Sequence, residues 1–328
     1  MKALQINELG DPWQKLELAD LERPPAREGA CVVKVEATDI NFADILQCRG
    51  EYQVKLTPPF VPGMSAAGTV IESASGVALE PGQRIVGPAA ENHGGFAEEC
   101  TILAERAMLI PDGVDAVKAA AANVTYQTAW VGLHLRGNLQ PGETVLVLAG
   151  AGGVGSAAIE LAREHGCWII AAAGTDEKVD VCRTLGADEV INYDTEDLYE
   201  RVMKLTQGRG VDLIYDPVGG AYFDIARRLV AWEGRILVIG FAAGSIPLAP
   251  MNHVLVKNYS IVGVHMGGYR DHDPRPFTRC NEVLNELMVR GRISPLIDEV
   301  VGFGGLPDAL RKLANRQSIG RLVFCPGA

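Results

Sequence analysis

The chain has 328 residues, 48% hydrophobic and 22% charged, with a formal net charge of −11. At about 150 residues per domain that length allows two domains, and the composition excludes disordered and collagen-like classes. The acidic balance has no basic run to offset it, which argues against a nucleic-acid partner.

Seven cysteines, at 31, 48, 100, 167, 182, 280 and 325, include no C-x-x-C pair, so neither a zinc knot nor a disulfide framework is expected. Met1 to Asp20 carries Glu8, Asp11 and Glu17 and no apolar core segment. No signal peptide is read there, and the expected compartment is the cytoplasm. The uncharged run 236–256 contains Gly240, Gly244, Pro247, Pro250, Asn252 and His253, a poor mixture for a spanning helix. It reads as a strand, Arg235 to Ile239, entering a loop, and no membrane partner is expected.

Along the first 120 or so residues, short β-like runs (30–37, 67–71, 83–86, 97–102) alternate with turn signals at Pro24-Pro25, Pro58-Pro59, Pro62-Gly63, Pro81-Gly82 and Gly94-Gly95, which predicts a β-rich domain. After Pro111 the pattern changes. An alanine-rich helix, 117–135, leads into strands at 144–149, 167–173, 189–191, 211–215, 235–239 and 260–265, with helices between most of them. Strands alternating with helices predict an α/β, doubly wound parallel sheet. The tail carries helices near 278–290 and 307–315 and a strand at 321–325.

One segment of this pattern carries chemistry. Thr144 to Ala149 is an apolar strand, Gly150-Ala151-Gly152-Gly153-Val154-Gly155 a turn, and Ser156 onward a helix. The spacing G-x-G-x-x-G, placed between strand and helix, is that of a dinucleotide cradle: tight turn, close backbone approach to a pyrophosphate, and close helix packing. A glycine-rich turn in an ordinary parallel sheet is the plain alternative. The histidines show no H-E-x-x-H spacing, and neither a G-x-S-x-G elbow nor a Walker lysine is present.

The β-rich start, the Gly150–Gly155 turn, and Leu185-Gly186-Ala187-Asp188 ahead of Val190-Ile191-Asn192-Tyr193 resemble a medium-chain dehydrogenase/reductase over essentially the whole chain. Ile40-Asn41-Phe42-Ala43-Asp44, Pro62-Gly63 and Asp216-Pro217-Val218-Gly219-Gly220 are similar to its zinc-independent NADPH:quinone oxidoreductase branch, which includes the zeta-crystallin-like proteins. The resemblance implies a GroES-like catalytic domain at 1–123, a Rossmann domain at 124–267, and a segment, 268–328, that returns to the catalytic domain. It also implies a substrate cleft between the domains and a homodimer or tetramer, with the apolar edge strand 260–265 as the place where copies would pair.

Zinc-dependent relatives place a cysteine at Asn41 and Gly-His-Glu at Gly63-Met64-Ser65. Asn, Met and Ser are poor zinc ligands, so no metal is expected. Non-zinc relatives often keep an acid at Ser65 and a tyrosine at Leu46, and here both differ, while Tyr52 matches.

Rossmann strands that bind NAD usually end in a carboxylate for the ribose. This one ends Ala173-Gly174-Thr175, with Lys178 a turn later, and the reading is NADPH. Alternatively, Asp176 or Glu177 supplies the carboxylate and Lys178 is solvated. By resemblance, Lys178, Tyr193 and Arg316 surround the 2′-phosphate beside Gly174. Gly152, Gly153, Val154 and Gly155 meet the pyrophosphate, Thr128 the nicotinamide amide, and Gly240, Phe241 and Val264 the ribose and nicotinamide. Asp216 either contacts the cofactor or caps the turn before Pro217.

The expected reaction is hydride transfer to a quinone or conjugated enone, with Asn41 (also near the cofactor) and Tyr52 as hydrogen-bond donors to the developing oxyanion. Asn41 has an equal structural reading, fixing its loop, and Tyr52 a packing one. Two rivals remain open: an enoyl-thioester or alkenal reductase, for which Arg49, Lys55 and Arg270 are too scattered to form a CoA rim, and an NADPH-binding sensor or structural protein.

Overall fold

The computed structural model describes residues 1–90 and 92–328, with the backbone alone at 270 and 271. It divides into two compact units, Met1–Val124 with Asn285–Ala328, and Thr125–Leu284.

Along the chain, β1 (Lys2–Ile6) and β2 (Leu16–Asp20) pair antiparallel around the short helix α1 (Pro12–Lys15). Next come β3 (Ala30–Asp39), α2 (Phe42–Cys48), β4 (Ser65–Ser73), β5 (Arg84–Pro88), β6 (Glu99–Leu103) and β7 (Met108–Leu109). Helix α3 (Ala116–Trp130) runs into a π-helical stretch, Val131–Arg136. The second unit continues with β8 (Thr144–Leu148), α4 (Gly153–Glu164), β9 (Trp168–Ala173), α5 (Asp176–Thr184) and β10 (Glu189–Asn192). It goes on with α6 (Leu198–Leu205), β11 (Val211–Asp216), α7 (Ala221–Leu229), β12 (Val230–Val238), α8 (Met251–Lys257), β13 (Ser260–Gly263) and α9 (Met266–His272). After α10 (Arg275–Val289) come β14 (Ile297–Val301), α11 (Leu306–Ala314) and β15 (Arg321–Phe324).

The first unit is built on a sheet ordered β14-β15-β3-β4-β5-β7, with β6 also on β3. Period-two alternation sends neighbouring residues to different cores. Ala66 and Ile85 join Val33, Cys100 and Ile102, while Ala67 and Val86 join Val114, Ala120 and Val323.

The second unit is a six-stranded, all-parallel sheet ordered β10-β9-β8-β11-β12-β13. β8 is buried at every residue, as a central strand covered on both faces must be. The chain steps outward from β8 to β10 and then returns to β11 on the other side of β8. That reversal opens a crevice at the carboxyl ends of β8 and β11, where ligands of doubly wound sheets bind.

Three departures from the sequence reading have physical causes. The loop expected after Ile239 contains α8, whose seven residues, just past Pro247 and Pro250, are too few for the apolar spacing of Met251, Val254 and Leu255 to stand out from a loop. β12 begins at Val230, five residues before the expected start. β1, β2 and β14 were not foreseen; β1 and β2 are rich in Ala, Leu, Gln and Glu, which carry little β signal. Among the described residues, no helix is long and apolar enough to cross a membrane.

Candidate functional site

At the head of β8 the glycines divide the work differently from the sequence expectation. The tight turn falls on Ala149, at φ 51°, a left-handed conformation that costs a residue with a Cβ of order 1 kcal/mol or more. Gly150 is needed for packing instead, since a Cβ there would lie 2.8 Å from Cys182 Sγ and 3.2 Å from Ala171 Cβ. At Gly155 a Cβ would lie 2.3 Å from the Ala149 carbonyl oxygen, so only glycine lets α4 start this close to β8. Gly152 is the exception: a Cβ there meets nothing nearer than the Ala149 oxygen at 3.2 Å. It is also the N-cap of α4 and has no side chain to satisfy the N–H groups of Gly153, Val154 and Gly155, which have no acceptor within the helix. The combination is a donor-lined hollow suited to an anion.

The neighbouring strand ends complete one edge of this sheet. Asp216, at the end of β11 and 2% exposed, accepts from the N–H groups of Val218 (2.8 Å) and Gly219 (2.9 Å). It caps its own turn, and burial raises its carboxyl above the usual range against the pull of those two donors. That turn is bound to the loop after β12 through Ala242 N to Pro217 O and Ala243 N to Val218 O. Phe241 stands over Gly219, whose Cβ would come within 2.9 Å of its ring; Gly240 precedes it in the same loop. Val264, after β13, donates its N–H to Val238 O. Thr128 lies in α3.

At the tip of β9, a Cβ on Gly174 would lie 3.0 Å from Tyr193 Cε2 and 3.3 Å from Asp194 Oδ2. Tyr193 packs edge-on against Tyr222, with ring centroids 4.9 Å apart. Thr175 caps α5 by accepting the N–H of Lys178. Asp176, one of the two acids considered as a ribose ligand, has its Oδ1 bound by Asn192 Nδ2 at 2.7 Å.

The first unit holds Asn41, Tyr52 and Arg316. Asn41 caps α2 and is 8% exposed. Its Nδ2 donates to Asp39 Oδ2 (2.9 Å), its Oδ1 accepts from Arg321 Nη2 (2.8 Å), and Arg321 also pairs with Asp39 Oδ2 (3.1 Å). Ser65 Oγ donates to Asp39 Oδ1. The carboxylate expected at 65 thus has its counterpart at Asp39, across the β3–β4 end. Asp44 accepts from the N–H groups of Asn41 (2.7 Å) and Met64 (3.0 Å), and burial pushes its carboxyl up to about 7. Tyr52 is half-buried, and burial, with Asp44 nearby, raises its phenol. Arg316 is exposed, at φ 58° just past α11.

Asp39, Arg321 and Asn192 escaped sequence reasoning; only the spacing Asp39-x-Asn41-x-x-Asp44 hints at the first. Of the scattered basic residues, Arg49 pairs with Asp11 at 2.7 Å and Lys55 binds the Gly50 carbonyl, while the side chain of Arg270 lies outside the described residues. The donor set around Asn41 does not suit zinc. Asn41 and Ser65 are turned toward Asp39 and Arg321 adds positive charge, and among the described residues no group of three His, Cys, Asp or Glu is arranged for a metal.

Comparison with known proteins agrees with this architecture. The alcohol dehydrogenase GroES-like domain family matches residues 27–114, and the zinc-binding dehydrogenase family matches residues 153–282. Quinone oxidoreductase-like protein 2 homolog of Nematostella vectensis is 37% identical over 98% of this chain and 88% of its own length. The quinone oxidoreductase-like protein 2 of Bos taurus is 39% identical over 93% and 90%. A mycobacterial structure complexed with NADPH superposes with a TM-score of 0.92 at 29% identity, covering 99% of this chain and 100% of that one. The quinone oxidoreductase of Thermus thermophilus, also solved with NADPH, gives 0.85 at 31% identity, covering 99% and 100%. With a β-rich unit, a doubly wound unit and whole-length likeness to these relatives, the chain belongs to the medium-chain dehydrogenase/reductase family, in its quinone oxidoreductase-like branch.

Proposed function

We propose that this chain is an NADPH-dependent, zinc-independent reductase of quinones or other conjugated carbonyl compounds. The observation that carries the reading is the hollow at Gly152, lined by the N–H groups at the start of α4 and open where a Cβ would stand. Its relatives' names and the two NADPH complexes point the same way.

When bound, NADPH supplies the hydride. Gly152, Gly153, Val154 and Gly155 hold the pyrophosphate; Gly174, Lys178 and Tyr193 take the 2′-phosphate; Thr128, Gly240, Phe241 and Val264 border the ribose and nicotinamide. Asp216 shapes this edge by fixing the 216–219 turn. Tyr52 and Asn41 donate hydrogen bonds to the acceptor oxygen as charge develops on it. Asn41 does so by giving up its weak 3.4 Å contact to the Asp39 carbonyl while Asp39 Oδ2 and Arg321 still hold it. The unsuitable donor set supports a reaction without zinc. Assembly as a homodimer through the edge strand β13 accords with its place at the end of the sheet.

The test is oxidation of NADPH with 1,2-naphthoquinone, crotonyl-CoA and a simple enal as acceptors. Turnover with the quinone or the enal supports the proposal. Turnover confined to the thioester moves the chain to the enoyl reductases, and tight NADPH binding without acceptor-dependent oxidation makes it a sensor. Lys178→Ala is expected to raise KM for NADPH at least about tenfold, from loss of one charge contact, with NADH kinetics changed less than about twofold. Equal losses with both nucleotides would remove Lys178 from the phosphate.

A further inference from the structure

At the tip of β9 one residue both tethers the first carboxylate of α5 and anchors the turn that carries Tyr193 and Asp194. Asn192, at the end of β10, is 6% exposed. Its Nδ2 donates to Asp176 Oδ1 at 2.7 Å, and its Oδ1 accepts the N–H of Asp194 at 3.1 Å. Its own N–H donates to Glu196 Oε1, and its carbonyl accepts from Thr195 and Glu196. The 192–196 turn is therefore pinned from both sides, and Tyr193 with it.

The consequences at Gly174 are steric and electrostatic. With Tyr193 and Asp194 where this turn puts them, a Cβ at 174 would come within 3.0 Å of the ring and 3.3 Å of Asp194 Oδ2, so a side chain at the strand tip, an acidic one above all, is crowded and repelled. The carboxylate two residues on, Asp176, opens the first turn of α5, the helix that also carries Lys178. A 2′-phosphate beside Lys178 and an untethered Asp176 would repel each other, whereas a free ribose hydroxyl would donate to that same carboxylate. The Asn192 amide binds Asp176 on the side facing β10.

We propose that Asn192 is a positioning residue for cofactor selectivity: by tethering Asp176 and fixing the turn that carries Tyr193, it favours a 2′-phosphate over a ribose hydroxyl. This rests on the NADPH reading above.

The experiment compares kcat/KM for NADPH and NADH, with kcat and KM resolved, in the full-length protein and in N192A, D176N and N192A/D176N. Asn192→Ala is expected to lower the NADPH:NADH ratio about tenfold, chiefly through KM for NADPH. Adding Asp176→Asn should recover most of that loss, because the freed charge is gone. Asp176→Asn alone, an exposed change on a helix end, should move the ratio by less than about twofold, since the tether already restrains that carboxylate. The inference is overturned by an unchanged ratio in folded N192A, by a double variant no better than N192A, or by a tenfold rise in D176N alone. The last of these needs no change at the buried site and so decides even where N192A fails to fold. A parent protein without preference for NADPH would overturn the cofactor reading as well, and is told apart by being visible before any substitution is made.

Discussion

Gly152→Ala is expected to lose nucleotide affinity by at least about thirtyfold while its melting temperature falls by no more than about 3 °C, the cost of a poorer helix cap. Gly155→Ala is expected to lose both. The difference follows from what each added methyl would touch. At 152 it meets only one atom, the Ala149 oxygen at 3.2 Å, a tight contact relieved by a shift of a few tenths of an ångström, so the empty protein tolerates it, whereas a pyrophosphate seated in the hollow would not. At 155 it lies 2.3 Å from the Ala149 oxygen and 2.9 Å from Gly150 Cα, which pushes α4 off β8 at a cost of about 2–3 kcal/mol. Calorimetric titration with NADPH beside thermal melts separates the two. If Gly152→Ala bound NADPH as well as the parent, the hollow would not be the pyrophosphate site and the proposed function would lose its main support.

Arg321→Met is expected to cost about 3–5 kcal/mol, the penalty for leaving a buried charge without its partner, and to lower the melting temperature by roughly 10 °C. Arg321 is 7% exposed and Asp39 is fully buried, and the guanidinium is bonded to Asp39 and Asn41 together. Burial lowers the Arg321 pKa, and Asp39 and Asp44 work against that fall. Removing the partner acid as well, in D39N/R321M, should regain part of the loss, since a neutral amide can still meet Ser65 and Asn41. The loss in Arg321→Met should also grow with pH. Asp44 has a folded pKa of about 7, above its unfolded value, because of burial first and Asp39 repulsion among the lesser causes, with Arg321 opposing both. Its protonation therefore contributes stability that is full below about pH 4 and is lost as pH rises through 7. Without Arg321 that window extends upward. Urea midpoints at pH 5 and pH 8 should show a wider gap between variant and parent at pH 8, and an equal gap would contradict the assignment.

How much could be read in advance depended on range. The doubly wound sheet was legible because β8, β9 and β11 are apolar runs separated by helical spacing, and the glycine turn sat between a strand and a helix. Element ends such as Ala173-Gly174 were legible for the same local reason. Side-chain partnerships were not. Arg321 and Asp39 are separated by 282 positions, and no periodicity announces that an arginine in a terminal strand will neutralise an aspartate in β3. Asn192 is similar on a smaller scale: a buried asparagine at a strand end reads as a turn former, and its bond to Asp176 depends on β9 and β10 lying side by side. Ala149 shows the limit of motif reading, since the fingerprint assigns the turn to the glycine after it, and the left-handed residue is the alanine.

The pairing of β15 with β3 constrains the order of assembly during synthesis. Residues 125–284 are one uninterrupted stretch and have all their strands once the ribosome passes the end of α10. The other unit has residues 1–124 made before that stretch and residues 285–328 made after it. Until β15 is made, β3 has an open edge where it belongs, and Asp39 awaits its cation. A partly synthesised chain thus holds a complete 125–284 unit while the other unit is incomplete, and truncation ahead of Arg321 would leave it so.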